Sequence, residues 1–216
     1  MNISAKIKVS ASKSATSPSC KPFSSIKKKK KIPMIHSIEQ GRKEDGNRSI
    51  ADKIIKRIHD LEKTVENNFG RWAWELLQNA KDSVADDARE VNVALVFDNT
   101  KVSFMHNGNH FTEHDIRGLI NQISSKEVEE GQKSNRVGRF GTGFITTHLL
   151  SKVVHVKGIV QTQNNEFHKF EFPLDREGTT TAILAPKIET TWQRFHQSTE
   201  KVFSIDNIKR IEKAQP

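Results

Sequence analysis

Apolar residues recur at helical spacing from Ser49 to Phe69, where Ile50, Ile54, Ile58, Leu61 and Val65 share one stripe. Ser49 followed by Asp52 has the form of a capping box, so order is predicted to begin near Asn47 with an amphipathic helix whose charges form a solvated face. Gly70 breaks that pattern, and a second helix is predicted from about Arg71 to Val84. Two alternating, β-branched runs follow, Val91–Phe97 and Lys101–His106, joined by Asp98-Asn99-Thr100 as a hairpin. Thr112 with Asp115 opens another helix, with Ile116, Leu119, Ile120 and Ile123 as its apolar stripe. Later strands are expected in "KVVHVKGIV" and "NEFHKFEFP", with the turn at Asn164-Asn165. "TTTAILAPKIETTWQRF" reads either as a last strand or as an amphipathic helix interrupted at Pro186; the helix is the preferred reading.

The second helix carries "WELLQNAKDSV", in which three polar residues interrupt an apolar run. At about 100° per residue, Glu75, Asn79 and Asp82 fall within roughly 60° of one another, beside a sector of Trp72, Leu76, Leu77, Ala80 and Val84. Polar groups along the edge of a buried face need an internal hydrogen-bond network, a wet cavity holding a ligand, or an outlet to solvent.

Between the third helix and the later strands lies "SSKEVEEGQKSNRVGRFGTGF", polar and without period. Its stretch from about Ser124 to Val137 has the character of a lid, and it closes on Gly138, Gly141 and Gly143. Glycines before a helix let the backbone approach an anion, and amide groups at a helix start attract one. Phe144, Ile145, Leu149 and Leu150 would form the buried side of a short helix starting there. No Gly-Lys-Ser/Thr follows, which excludes a Walker loop, and no strand leads in, which excludes a dinucleotide fingerprint.

Composition narrows the setting. The chain has 216 residues and one Cys, which rules out an internal disulfide framework and points to an intracellular protein, cytoplasmic or nuclear. The net charge of +9 sits in the first 35 residues, which hold nine lysines, Lys27–Lys31 among them, and no acid or Arg, so the remainder is neutral. Residues 1–46 are expected to be a disordered Lys/Ser-rich tail, 47–200 the folded domain and 201–216 a C-terminal tail. Nucleic acid would be reached only through the basic tail, and no window is apolar enough to span a membrane.

A Glu-x-x-x-Asn-x-x-Asp helix, a hairpin ending in "HNGNHF", a helix, a polar lid and "GRFGTGF" together resemble the GHKL ATPase superfamily of gyrase, heat-shock chaperones, histidine kinases and MutL. The resemblance runs from about Ile50 to Phe172, and "WAWELLQNAKD" is most similar to sacsin-like ATP-binding modules. It implies a Bergerat α/β two-layer sandwich, helices over one mixed, mainly antiparallel sheet. It also implies ATP and Mg²⁺ as ligands, with Glu75 as general base, Asn79 as the metal-holding side chain and Asp82 as a supporting polar group. Gly108, flanked by His106 and Asn107, would take the adenine, and Gly138, Gly141, Thr142, Gly143 and Phe144 the phosphates.

The superfamily's second box reads Asp-x-Gly-x-Gly, whereas here His106 and His110 replace the Asp and the second Gly. A neutral imidazole accepts one hydrogen bond, so adenine recognition is weakened in principle. Three function classes follow from the resemblance. The first is a slow, clamp-like ATPase acting on an unidentified client, in which lid closure over ATP drives a conformational or dimerisation switch. The second is a histidine kinase, disfavoured because Glu75 one turn before Asn79 is the hydrolase pattern. The third is a pseudo-ATPase scaffold.

Overall fold

The computed structural model describes residues 2–6, 34–64, 70–84, 90–122 and 143–202. The lid assigned to Ser124–Val137, the glycine-loop residues Gly138, Gly141 and Thr142, and the Lys27–Lys31 run lie outside the described residues.

The chain is a mixed α/β fold. Its elements are β1 (Asn2–Lys6), α1 (Met34–Lys63), α2 (Arg71–Asp82), β2 (Val93–Phe97), β3 (Lys101–His106), β4 (Phe111–Thr112) and α3 (Glu113–Asn121). A 3-10 helix (Phe144–Leu149) follows, then β5 (Val153–Gln161), β6 (Phe167–Asp175), α4 (Thr181–Ser198) and β7 (Glu200–Val202). One sheet runs in the order β2-β3-β1-β5-β6-β7, with β4 joined to β5 in parallel and every other pair antiparallel.

Alternation along the strands sets the layering. Val102, Phe104 and His106 on β3, Val154 and Val156 on β5, and Phe170, Phe172 and Leu174 on β6 are buried, while their neighbours are not. A period of two with one buried side means that the helices cover one face of the sheet. The core that results joins Ile54, Ile58 and Leu61 of α1, Leu76 of α2, Leu119 of α3 and Ile188 of α4 to those strand residues.

Three local features follow the sequence closely. Thr112 caps α3 in a reciprocal box, its hydroxyl accepting from the Asp115 amide while Asp115 accepts from the Thr112 amide. The β5–β6 hairpin turns at Asn165, whose φ of 59° suits a short polar side chain in the left-handed region. The preferred helix at the C-terminal end is α4, and it runs through Pro186. Leu184, Ile188 and the partly buried Trp192 and Phe195 hold it to the core on both sides of that proline.

The boundaries differ from expectation at both ends. Asn2–Lys6, assigned to a disordered tail, forms β1 in the middle of the sheet, paired with β3 on one side and β5 on the other. Helix α1 starts at Met34 instead of Asn47. Gly41 and Gly46 weaken its early turns, but Lys43 and Asn47 both reach Glu189 of α4, and Gln40–Glu44 and Arg42–Glu39 pairs line the exposed side. Glu200–Val202, split between domain and tail in the sequence reading, is the edge strand β7.

Candidate functional site

Helix α2 presents the polar row. Trp72, Leu76, Asn79 and Ala80 are its buried residues, whereas Leu77, expected on the apolar face, is exposed. The buried face is therefore turned toward Asn79. Glu75 is half-buried, and the Arg71 guanidinium donates to its Oε1 over 3.1 Å, one turn earlier on the same helix. That bond fixes the carboxylate and leaves Oε2 pointed at Gly143, where a methyl group in place of the glycine hydrogen would lie 2.1 Å from it. Asn79 is only 7% exposed, and its Nδ2 has no hydrogen-bond partner among the described residues; Asp82 Oδ2 is likewise buried and unpartnered. Orphaned polar atoms at such depth cost about 1–3 kcal/mol each unless something else satisfies them.

The β3 end closes on the last turn of α2 through Ser83, a residue the sequence reading overlooked. The Ser83 hydroxyl donates to the Ala80 carbonyl over 2.7 Å and lies 3.3 Å from His106 Nδ1. The Ser83 carbonyl accepts from the Asn109 amide at 2.6 Å. Gly108 packs so closely that a methyl group there would fall 1.9 Å from Ser83 Oγ and 2.7 Å from its carbonyl oxygen. Close approach, and not a left-handed φ, is what requires glycine at this turn.

His106 is buried, which pushes its pKa down to about 3 and keeps the ring neutral. The Gly108 amide donates to Nδ1 over 3.2 Å, which places the ring proton on Nε2. The single acceptor of a neutral imidazole is thus engaged within the turn. An adenine amino group would not find in His106 the acceptor that an aspartate provides. Asn107 is also committed to the fold: its Oδ1 accepts from the Asn92 amide at the start of the hairpin. His110 stands edge-on to Phe167 across the sheet, with ring centroids 5.2 Å apart.

The 3-10 helix starts at Gly143. Phe144 is completely buried in the core, so it meets a ligand, if at all, through its backbone. Thr146 and Thr147 donate to the carbonyls of Gly143 and Phe144. Of the residues singled out in the sequence, the fold sets Glu75 against Gly143 near one end of α2 and Gly108 with His106 against Ser83 at the other, about 12 Å further along the helix, with Asn79 and Asp82 between them on α2. Gly138, Gly141 and Thr142 lie outside the described residues, and Asn107 and Phe144 serve the framework. The Arg71–Glu75 pair had a signal in its i, i+4 spacing.

The 3-10 helix contributes to a second polar group with no counterpart in the sequence reading. His148 is fully buried, and burial together with nearby Arg176 pushes its pKa down to about 3. Arg176 is itself buried, held near 10 by desolvation, and donates from Nη2 to the Ile120 carbonyl at the end of α3. An open groove along α1 from His36 to Ile50 shares no residue with either cluster. No group of three His, Cys, Asp or Glu among the described residues could hold a metal ion by itself. No described helix is long and apolar enough to cross a membrane.

The two glycine contacts predict opposite outcomes. Gly143→Ala meets the carboxylate end of the Glu75 side chain, which can shift by giving up its bond to Arg71, so the variant should fold normally with the carboxylate displaced. Gly108→Ala meets a backbone carbonyl and should cost about 1–3 kcal/mol in urea unfolding. Equal stability losses in the two variants would contradict this reading of the contacts.

No protein-family model, curated protein or solved structure matches the chain.

Proposed function

We propose that the chain binds Mg·ATP where α2 meets the Gly108 turn and Gly143, and hydrolyses it slowly, the fold being of the Bergerat type. What carries the reading is one polar row on α2, in which the Glu75 carboxylate meets Gly143, Asn79 Nδ2 and Asp82 Oδ2 are buried with no partner among the described residues, and the helix end packs on Gly108 through Ser83. Those are the features a phosphate-bearing ligand needs: room for close backbone approach, and buried polar atoms awaiting a partner.

Glu75 would act through Oε2, orienting a water molecule and taking its proton while Arg71 holds the other oxygen. Mg²⁺ would supply charge neutralisation on the phosphate oxygens. Asn79 suits its shell, because a neutral oxygen is a sufficient protein ligand when the nucleotide brings the anions. With no group of three His, Cys, Asp or Glu among the described residues to hold a metal by itself, metal and nucleotide are expected to bind together.

A second reading has one observation in its favour. The acceptor of His106 is occupied by the Gly108 amide, which suits a scaffold that has lost adenine recognition. Calorimetric titration with ATP, with and without Mg²⁺, separates the two. Saturable binding that needs the metal is expected, with Glu75→Gln retaining binding and losing turnover, and Asn79→Ala weakening Mg·ATP more than free ATP. Absence of binding would support the scaffold, and full turnover in Glu75→Gln would remove that residue from the chemistry.

A further inference from the structure

The two edges of the sheet are built differently. At β7, Glu200 pairs with Lys169 and Lys201 with Glu166, so the edge is short and charged, as edges that must resist pairing usually are. At the other edge stands β2, Val93-Ala94-Leu95-Val96-Phe97, with no charge, no proline and no bulge. All five residues are exposed, and among the described residues β3 is its one neighbour.

Hydrogen bonds at both ends of β2 fix which groups face outward. The Asn107 amide donates to the Asn92 carbonyl, and the Asp98 amide donates to the Lys101 carbonyl. In an antiparallel ladder the bonded residues alternate, so Asn92, Ala94, Val96 and Asp98 face β3. Val93, Leu95 and Phe97 therefore turn their amides and carbonyls to the open edge. Their side chains lie on the helix side of the sheet, each opposite a buried residue of β3: Val93 opposite His106, Leu95 opposite Phe104, Phe97 opposite Val102. The helix layer covers them only in part: Trp72 of α2 stands edge-on to Phe97, with ring centroids 6.5 Å apart, and among the described residues Val93 remains 37%, Leu95 40% and Phe97 62% exposed.

We propose that β2 pairs with β2 of a second copy, antiparallel about a two-fold axis at Leu95, making one sheet continuous through a homodimer. This register alone engages every outward group of the strand: Leu95 with the partner's Leu95, and Val93 with the partner's Phe97 and the reverse, about six backbone hydrogen bonds in all. The same pairing sets the three apolar side chains of each copy beside those of the other, covering a strip that the described helices leave partly exposed. Charge selects it too. Asp98 falls opposite the partner's Asn92, whereas a two-fold axis at Ala94 would set Asp98 against the partner's Glu90. A strand that satisfies its own complement in geometry, polarity and charge has the isologous character of a dimer edge.

Analytical ultracentrifugation of the full chain over a concentration series is expected to show a monomer–dimer equilibrium. Leu95→Lys, which places two ammonium groups face to face on the axis, should weaken it by about tenfold or more while circular dichroism stays unchanged. In a Cys20→Ser background, Leu95→Cys should form an intermolecular disulfide under mild oxidation, because the axial pair has Cα atoms about 5.5 Å apart. Val93→Cys, set off the axis, should not. A monomer at every concentration overturns the proposal. So does a dimer that Leu95→Lys leaves intact, or one in which Val93→Cys crosslinks and Leu95→Cys does not.

Discussion

Lowering the pH from 7 to 5 is expected to remove about 4 kcal/mol of folding stability, through two buried histidines. His106 and His148 each titrate near 3 in the folded chain against about 6.5 when unfolded, chiefly because burial disfavours the imidazolium. Above pH 6.5 both states hold neutral rings and the two residues have no effect on the pH dependence. Below it the unfolded chain takes up protons that the native one refuses, so stability falls by about 1.4 kcal/mol per pH unit for each ring until roughly pH 3. Carboxylates held low by partners, such as Glu189 beside Lys43, act in the same direction but only below their ordinary value of 4.5. The window between pH 6.5 and 5 therefore belongs to the histidines. Urea unfolding at half-unit steps of pH checks it, and His148→Gln should halve the slope whatever it does to stability at pH 7. A flat profile across that window would show that both rings can be protonated in place, and a halved slope that one can.

The other large effect concerns β1. Ser4→Pro should abolish cooperative unfolding, because Ser4 sits opposite Ser103 of β3 and His155 of β5, and a proline there removes an amide and forces its ring into a strand bonded on both sides. Glu200→Pro gives the contrast: the first residue of an edge strand tolerates proline, so that variant should lose no more than about 1 kcal/mol. Thermal melts of the two variants by near-ultraviolet circular dichroism test the difference. Similar melting curves would mean that the chain folds without its first strand.

Much of this architecture could be read in the sequence where one period dominated. The α3 capping box, the β2–β3 hairpin, the Asn165 turn and α4 each have local patterns agreeing with the tertiary outcome. Two places misled for different reasons. "NISAKIKV" alternates Ile3, Ala5, Ile7 and Val9 with polar residues, a strand signal hidden inside a Lys- and Ser-rich composition. The early turns of α1 have two glycines and little local propensity; contacts with Glu189 of α4, 142 residues from Asn47, hold them, and no local window contains that information. In the candidate site, the polar row and its glycines were visible as spacing. Ser83 was not, because its importance lies in what it touches. His148 and Arg176 were hidden for the same reason: a buried polar residue looks like any other until burial is known.

The place of β1 also bears on how the chain is made. A ribosome releases residues 2–6 before either of their neighbours exists, since the pairing partners lie at Lys101–Met105 and Val154–Lys157. For about 150 residues of elongation, roughly 8 to 30 seconds at about 5–20 residues per second, at least one edge of the first strand stays open. The sheet cannot be closed from its middle outward in the order of translation. Its last central seam, β1 against β5, can form only after most of the domain has emerged, which makes nascent chains stalled before Val154 the species most in need of a holding chaperone.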